Sequence, residues 1–239
     1  MIRHRRDVLR MAAICAVAAA PLRHALAQGA TRPRLGLIGS GNVGSNLGRV
    51  WSRKGYEVMF ASKDLEGDKR LAAQVGGKAR AGTPQEAAAF GEVLVFAVPY
   101  GALPDLGKTL GTALKGKVVI DACNPFPQRD GAIADEARAQ GAGAVSARLL
   151  PGARIVRAFN AVGAARMGAV NAAPGQVGMP IASDDAEAVT IASRLIRDIG
   201  FEPVLVAGLA MGKYLMPGTP LAGEHSPDEI RRIAATLKP

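Results

Sequence analysis

The sequence predicts an α/β fold in which a doubly wound, mostly parallel sheet is covered by helices on both faces. Three observations favour this fold: apolar runs alternate with amphipathic stretches from residue 34 onward, several runs are apolar throughout, and closely spaced glycines follow the first run. Continuous apolar runs are typical of strands that are buried on both faces. Their alternation with helices requires parallel strands that are joined by right-handed crossovers.

The first strand-helix-strand unit occupies residues 34–64. An apolar strand over residues 35–38 leads into the Gly-x-Gly-x-x-Gly turn Gly39-Ser40-Gly41-Asn42-Val43-Gly44, which opens a helix. Gly39 allows the tight turn, Gly41 lets the backbone approach a pyrophosphate, and Gly44 lets the helix pack closely on the strand. Unpaired N–H groups at the start of the helix then face the phosphates. The unit therefore predicts a dinucleotide site of the Rossmann type.

The end of the second predicted strand, at residues 57–61, chooses between the two nicotinamide cofactors. Enzymes that prefer NAD usually carry Asp or Glu there, where the carboxylate accepts hydrogen bonds from the ribose 2′-hydroxyl. Here Ser62 and Lys63 supply a hydroxyl and a cation, which suit a 2′-phosphate and favour NADP. Asp64 keeps the alternative open, because a shift of two residues would bring a carboxylate toward that phosphate.

The remaining elements continue the alternation. Capping boxes at Thr83 and Ser226 begin two helices, and the first of these ends near Gly91. Apolar residues at helical spacing predict further helices around residues 103–110, 133–140 and 189–199, and strands are predicted at 93–98, 117–121, 154–158, 177–182 and 202–206. We therefore expect one nucleotide-binding domain over residues 32–239, of which residues 161–239 form a small C-terminal subdomain.

Residues 1–27 have the organisation of an export signal. Arg5 and Arg6 precede an apolar stretch at residues 11–22 and the small-residue end Ala25-Leu26-Ala27, so cleavage is expected near Ala27. The paired arginines resemble a twin-arginine signal and predict a periplasmic or exported protein. Since the apolar stretch is too short to cross about 30 Å of hydrocarbon, no transmembrane anchor is expected. A mis-assigned start codon is the alternative explanation of this segment.

Charge and residue usage exclude several classes of function. The formal net charge is +10, and since residues 1–27 hold five arginines and one aspartate, about +6 remains on the rest. Because the basic residues are scattered and aromatic residues are few, we expect no nucleic-acid binding, and an anionic ligand accounts for the excess charge. His225 is the one histidine beyond residue 27, so we expect no metal site. Cys123, the one cysteine there, is either an oxidation-sensitive thiol or small buried filler.

Unusual residues follow three of the predicted strands. Val98-Pro99-Tyr100 follows one, residues 121–127 follow the next, and Phe159-Asn160 follows a third. Parallel sheets bind ligands beyond the carboxyl ends of their strands, so these loops are expected at the ligand edge.

Seven motifs occur in a recognisable order: GSGNVG at residues 39–44, SK at 62–63, FAVPYGAL at 96–103, GKVVIDACNPF at 116–126, RIVRAFNAVGA at 154–164, MPIASDDAEA at 179–188 and GFEPVLVAGLAMGKYLMP at 200–217. As an ordered set they resemble the NADPH-dependent coenzyme F420 reductase family, also called F420-dependent NADP oxidoreductases. The resemblance covers almost all of residues 34–217. It implies NADP on the glycine turn and an electron acceptor against the nicotinamide, with the C-terminal subdomain on the acceptor side.

The resemblance also assigns roles to residues by their position in these motifs. It places Ser40, Ser62 and Lys63 at the 2′-phosphate, where Lys63 keeps the charge of the more usual arginine but loses its planar fork. It places Ala97, Val98 and Pro99 beside the ribose and nicotinamide. The expected border of the acceptor pocket is Asn124, which also belongs to the cofactor site, with Pro125, Phe159 and Asn160, and the expected closing residues are Leu209 and Met211.

The leading hypothesis is an NADP-dependent oxidoreductase that transfers hydride between NADPH and a small-molecule acceptor, either flavin-like or a deazaflavin of the F420 type. Such a transfer requires that two rings be stacked, and no titratable catalytic residue is essential to it. Tyr100 and His225 are candidate proton donors. Two alternatives stay open: a non-catalytic NADP-binding protein that senses redox state or serves a partner, and a reductase of a small imine. A homodimer is an assembly that the sequence allows.

Overall fold

A computed structural model of the chain describes residues 32–169 and 175–238. Within them, eight strands form one sheet: β1 (Leu35–Ile38), β2 (Val58–Ala61), β3 (Arg80–Ala81), β4 (Val93–Phe96), β5 (Val118–Asp121), β6 (Arg154–Arg157), β7 (Gly178–Ala182) and β8 (Glu202–Ala207). Their order is β3-β2-β1-β4-β5-β6-β7-β8. Strands β1 to β6 pair in parallel, whereas β7 meets β6 antiparallel through the single pair Arg157 and Ala182. The predicted α/β fold with a mostly parallel sheet is confirmed.

Ten α-helices accompany these strands in the described residues: α1 (Asn42–Arg53), α2 (Leu65–Val75), α3 (Pro84–Phe90), α4 (Leu103–Leu110), α5 (Pro127–Asp130), α6 (Ala132–Gln140), α7 (Ala142–Leu149), α8 (Ala164–Gly168), α9 (Ala186–Asp198) and α10 (Pro227–Ala234). Both predicted capping boxes are present. The Thr83 hydroxyl accepts a hydrogen bond from the Glu86 N–H at 3.2 Å, and the Glu86 carboxylate accepts one from the Thr83 N–H at 2.7 Å. Ser226 and Glu229 repeat this exchange at the start of α10.

The central strands β1, β4 and β5 are buried on both faces, as their continuous apolar runs predict. In β1, Leu35 and Leu37 pack on one side with α1, α2 and α9, while Ile38 packs on the other side with α3, α4 and α7. Strand β4 alternates in the same way, with Val93 and Val95 opposite Leu94 and Phe96. This period of two explains why β1 and β4 are apolar along their whole length.

Residues 161–239, predicted as a C-terminal subdomain, add β7 and β8 to the same sheet. A separate apolar cluster lies there and includes Ala182, Val204, Met211, Leu215 and Ile230. From Pro33 onward the chain forms one compact unit. Whether this part acts as a subdomain of its own stays a prediction.

None of the helices in the described residues has both the length and the apolar character needed to cross a membrane. The predicted export signal, residues 1–27, lies outside the described residues.

Candidate functional site

The glycine turn lies where the connections of the sheet reverse direction. Strand β1 is flanked by β2 on one side and β4 on the other. The chain passes from β1 outward to β2 and β3, and then crosses back to β4 on the opposite side of β1. The carboxyl ends of the three strands are tied together. The Gly39 N–H donates to the Ala61 carbonyl at 2.7 Å, and the Ala97 N–H donates to the Ile38 carbonyl at 2.8 Å. A crevice at such a reversal is the usual ligand site of an open α/β sheet.

The three motif glycines occupy positions with different requirements. Gly39 has a φ of +103°, and a Cβ there would lie 2.3 Å from the Ala97 carbonyl oxygen. At Gly44 a Cβ would lie 1.8 Å from the Gly39 carbonyl oxygen, so the helix can approach the turn only without a side chain. At Gly41, in contrast, a Cβ would meet nothing within 4 Å. Since Gly41 borders open space at the start of α1, where no side chain caps the helix, the turn has room and donors for a pyrophosphate.

A cleft of about 840 Å³ opens beside this turn. It is bordered by the ends of β1, β2 and β4, by α4 and by α5, and its lining includes Gly39, Ser40, Gly41, Ser62, Lys63, Ala97, Val98, Pro99, Ala102, Leu106, Arg129 and Asp130. Asn42, Val43 and Gly44 lie in the first turn of α1, next to the lining. The structure thus brings together, from three separate strand ends, the predicted dinucleotide residues other than Asn124. Their roles in binding stay predictions.

The end of β2 is held by a hydrogen-bond network that includes Asp68 of α2. The Ser62 hydroxyl donates to Asp68 Oδ2 at 2.8 Å and accepts from the Asp64 N–H at 3.1 Å. Asp64 Oδ1 in turn accepts from the Gly67 N–H at 2.8 Å and caps α2. The Asp64 carboxylate, which left the choice between NAD and NADP open, is therefore engaged in capping α2. The Lys63 side chain, in contrast, is exposed at the cleft.

Arg129 and Asp130 form the rim of the cleft opposite the glycine turn. Arg129 donates to both carboxylate oxygens of Asp130, at 2.9 and 2.8 Å, and lies 5.0 Å from the centre of the Phe126 ring. Partial burial raises the pKa of Asp130, but hydrogen bonds from Arg129 and from the N–H groups of Phe126 and Gly101 outweigh this, so the pKa is below its ordinary value. The rim is thus an ion pair beside an exposed aromatic ring. None of these three residues was predicted from the sequence as a site residue.

Beyond β5 and β6 the predicted acceptor residues form a buried polar cluster. Arg157 Nη1 donates to Asp121 Oδ2 at 2.6 Å, and both side chains are fully buried. Asn124 Nδ2 donates to the Asn160 carbonyl at 2.8 Å, and Asn160 Nδ2 donates to the Cys123 carbonyl at 3.3 Å. The Cys123 thiol is buried, and burial raises its pKa well above the ordinary value. Of the two interpretations of Cys123, the structure supports buried filler.

Several other candidate residues lie outside the cleft lining. Phe159 is 1% exposed and packs edge-on against Trp51, with ring centres 5.9 Å apart, and Met211 belongs to the apolar cluster near β8. Pro125 is also buried, and Leu209 is half-buried, with its N–H donating to Asp184. The structure brings Asn124 and Asn160 together but does not place them, or these four residues, in the cleft wall.

Neither of the two candidate proton donors is part of the cleft lining. Tyr100 is fully buried, and its hydroxyl contacts the Ala142 carbonyl at 2.9 Å and Ser146 Oγ at 3.0 Å. Burial, with the nearby Asp121 carboxylate, raises the pKa of Tyr100. The expectation that Tyr100 donates a proton is therefore not supported. His225 precedes α10, and its Nε2 lies 3.2 Å from the Ala222 carbonyl.

Comparison with known proteins agrees with this geometry. Residues 34–125 match the family model described as NADP oxidoreductase, coenzyme F420-dependent. The F420-dependent NADP reductase of Methanothermobacter marburgensis is 31% identical over 202 residues, which cover 77% of this chain and 88% of that enzyme. The chain belongs to the F420-dependent NADP reductase family. It is an oxidoreductase of the NADP-dependent type.

Three further similarities concern one other relative and two solved structures. The rat metalloreductase STEAP3 is 28% identical over 186 residues, which cover 76% of this chain but only 35% of that protein. Among solved structures, the hypothetical protein SMa0349 of Sinorhizobium meliloti aligns with a TM-score of 0.68 at 24% identity, covering 85% of this chain and 98% of that one. A proposed F420-dependent NADP reductase from Arthrobacter sp. FB24 aligns with a TM-score of 0.67 at 18% identity, covering 76% and 87%. These structural similarities establish the fold.

Proposed function

We propose that this member of the family transfers hydride from NADPH to a flavin-like or deazaflavin acceptor in the cleft beside β1 and β4. The observation that carries the proposal is the continuity of the cleft, which runs from the glycine turn past Ala97, Val98 and Pro99 to the rim at Arg129. Its volume of about 840 Å³ is in the range of cofactor and ligand sites. One wall therefore serves the dinucleotide and the other serves the acceptor ring.

The chemistry asks little of the protein beyond binding and orientation. Two electrons and one hydrogen leave NADPH as hydride, which gives NADP⁺, and the acceptor takes one further proton from water. The apolar residues Val98, Ala102 and Leu106 exclude water from the middle of the cleft and hold the rings in register. The described lining contains no histidine, cysteine or tyrosine, which fits a transfer between two organic rings.

The test is oxidation of NADPH by the purified full-length chain with FMN, FAD or F420 added in turn. The expected result is acceptor-dependent loss of NADPH absorbance, with NADH a poorer donor. Binding of NADPH without turnover on any of these acceptors would contradict hydride transfer and favour the non-catalytic, redox-sensing alternative.

The variant Gly41→Ala is the sharpest test of the glycine turn, because its new methyl group would meet no atom of residues 32–169 or 175–238 within 4 Å. It is expected to fold with a loss of at most about 1 kcal/mol, because Gly41 is the N-cap of α1 and alanine caps a helix less well than glycine. Its methyl group occupies the space that the pyrophosphate needs. We expect NADPH binding to weaken at least about tenfold, which corresponds to about 1.4 kcal/mol. Unchanged NADPH affinity in this variant would remove the glycine turn from the cofactor site.

We also propose that residues 1–27 direct export of the folded protein by the twin-arginine route, so that the cofactor is bound before export. The paired Arg5 and Arg6 support this proposal. Cell fractionation of the wild type and of a variant with both arginines changed to lysine tests it, and we expect the periplasmic protein to be lost in the variant. Equal distribution of the two proteins would contradict export by this route.

For assembly we propose a homodimer. Leu205 supports it, because its side chain is 51% exposed on the edge strand β8. Light scattering of the purified chain would give the mass directly, and a monomeric mass at micromolar concentration would exclude a stable dimer.

A further inference from the structure

A second concavity, of about 360 Å³, lies between α1 and α2 and adjoins the cleft. We call it the α1–α2 groove. It is lined by Ser40, Ser45, Arg49, Ser62, Asp64, Gly67, Asp68, Arg70, Leu71 and Gln74. Ser40, Ser62 and Asp64 line the cleft as well, so the groove begins at the end of β2, where the adenosine ribose is expected.

The two carboxylates of the groove are already hydrogen-bonded, whereas the Arg49 guanidinium keeps N–H donors that could bind a ligand. Asp68 is 1% exposed and accepts from Ser62, and Asp64 caps α2. The half-buried Arg49 donates to the neutral Gln74 Oε1 at 3.1 Å, and in the described part of the chain it has no carboxylate within 4 Å. Arg70 lies only loosely against Asp64, at 3.8 Å. A guanidinium has five donors, so most of those on Arg49 remain for a ligand.

The hydrogen-bond network of Ser62 makes this capacity relevant to cofactor choice. Because its hydroxyl hydrogen is directed to the buried Asp68, Ser62 can donate to a phosphate only by breaking that contact. A phosphate next to Ser62 also lies near the Asp68 carboxylate, and it needs a strong cation to offset the repulsion. Lys63 borders the cleft but does not line the groove.

On the basis of the proposed NADPH chemistry, we propose that the α1–α2 groove binds the 2′-phosphate of the cofactor through the guanidinium of Arg49, with Arg70 as a second cation. A planar guanidinium offers two parallel N–H donors to a phosphate, which a lysine ammonium does not. Asp68 acts as a positioning residue, since it holds Ser62 in place between the groove and the cleft.

The test compares calorimetric titrations of the full-length chain with NADPH and with NADH. In Arg49→Gln, NADPH binding should weaken tenfold to a hundredfold, as is typical when a charge-assisted hydrogen bond is lost, and NADH binding should change less than about twofold. Arg49→Lys should fall between Arg49→Gln and the wild type. The matched control is Arg53→Gln, one turn later on the same helix, exposed and absent from the groove lining, which should leave both affinities unchanged.

Each other outcome has a defined meaning. Equal weakening of NADPH and NADH in Arg49→Gln would overturn the inference, because the effect would then be on the fold. The inference is also overturned if Lys63→Gln abolishes the NADPH preference while Arg49→Gln keeps it, since the phosphate would then lie in the cleft. A wild type that binds neither dinucleotide contradicts the proposed function itself. If Arg49→Gln does not fold, Arg49→Lys decides, and an affinity for NADPH equal to that of the wild type counts against the groove.

Discussion

The buried ion pair between Asp121 and Arg157 gives the sharpest prediction about stability. Both side chains are fully buried at the ends of β5 and β6. Asp121 accepts from Arg157 Nη1 at 2.6 Å and from the Cys123 N–H at 2.9 Å. Arg157 Nη2 donates to the Cys123 carbonyl at 3.2 Å, and its Nε has no hydrogen-bond partner among the described residues. Asp121→Asn keeps the shape of the side chain but leaves a buried cation without a counter-charge.

The expected loss is about 3–5 kcal/mol, the usual consequence of removing one partner from a buried pair. A domain has about 5–15 kcal/mol of stability in total, so about a fifth or more of it is at stake. Arg157→Met should cost a similar amount, because it strands the carboxylate. The double variant should lose at least about 2 kcal/mol less than the sum of the single losses, since it leaves no unpaired charge.

Urea unfolding measures these values, and Trp51 is a suitable probe because it is the one tryptophan of the chain and is fully buried. Asp228→Asn is the matched control, because its partner Arg231 and Asp228 itself are both more than half exposed. The control should change stability by less than about 0.5 kcal/mol. A loss below about 1 kcal/mol in Asp121→Asn, or strict additivity in the double variant, would refute the reasoning.

Three further predictions concern other parts of the fold. Gly44→Ala places a Cβ 1.8 Å from a backbone oxygen of the turn, so it should lower the free energy of unfolding by about 1–3 kcal/mol or more in urea titrations, and full stability would contradict the close approach. Hydrogen bonds from Arg154 hold the pKa of Asp185 below its ordinary value. The resulting stabilisation is therefore present above about pH 4 and is lost as the pH falls toward the lowered pKa. The variant Asp185→Asn still caps its helix. It should be less stable than the wild type by about 0.5–1 kcal/mol at pH 7 and equally stable in strong acid. Urea unfolding at both pH values measures this, and a difference that is independent of pH would contradict it. In a Cys15→Ser background, Cys123 should react with a thiol reagent only as fast as the chain unfolds, because the thiol is buried and its pKa is raised, and rapid reaction of the folded chain would be the opposing result.

The elements that the sequence predicts well are those whose signal is local. The glycine turn, the two capping boxes and the apolar strands each combine residue types within a few positions, and all of them appear in the structure. Helix α2 and helix α7 were not predicted. The first carries charged residues around a narrow apolar face at Leu71 and Ala72, and the second is built mostly of small residues, so neither has a clear apolar period.

The site residues, like the elements of the fold, could be predicted only where the sequence signal is local. Ser62 and Lys63 could be found from their distance to the glycines, because the strand-helix-strand unit has a nearly fixed length. The contact between Ser62 and Asp68 had no such signal, since it depends on the first turn of α2, which the sequence analysis did not identify. Arg129 was missed for a related reason: its place at the rim depends on how the four-residue helix α5 packs against the turn at Tyr100–Ala102.

The loops at the carboxyl ends of the strands form two groups, one closed by hydrogen bonds and one open to the cleft, and sequence spacing could not predict this difference. The loops after β5 and β6 hydrogen-bond to each other, from Asn124 to the Asn160 carbonyl and from Asn160 to the Cys123 carbonyl. The side-chain amide oxygens of Asn124 and Asn160 are buried and have no partner within the described part of the chain. The loops after β1, β2 and β4 instead border the cleft. The general rule that ligands bind beyond the strand ends therefore identified every candidate loop, but it could not tell which loops stay apart and which close on each other. The buried pair of Asp121 and Arg157, which are 36 residues apart, connects these loops, because both side chains also hydrogen-bond to the Cys123 backbone. The variant Asp121→Asn, which tests stability, therefore also tests whether the hydrogen-bonded loops after β5 and β6 maintain the geometry of the cleft.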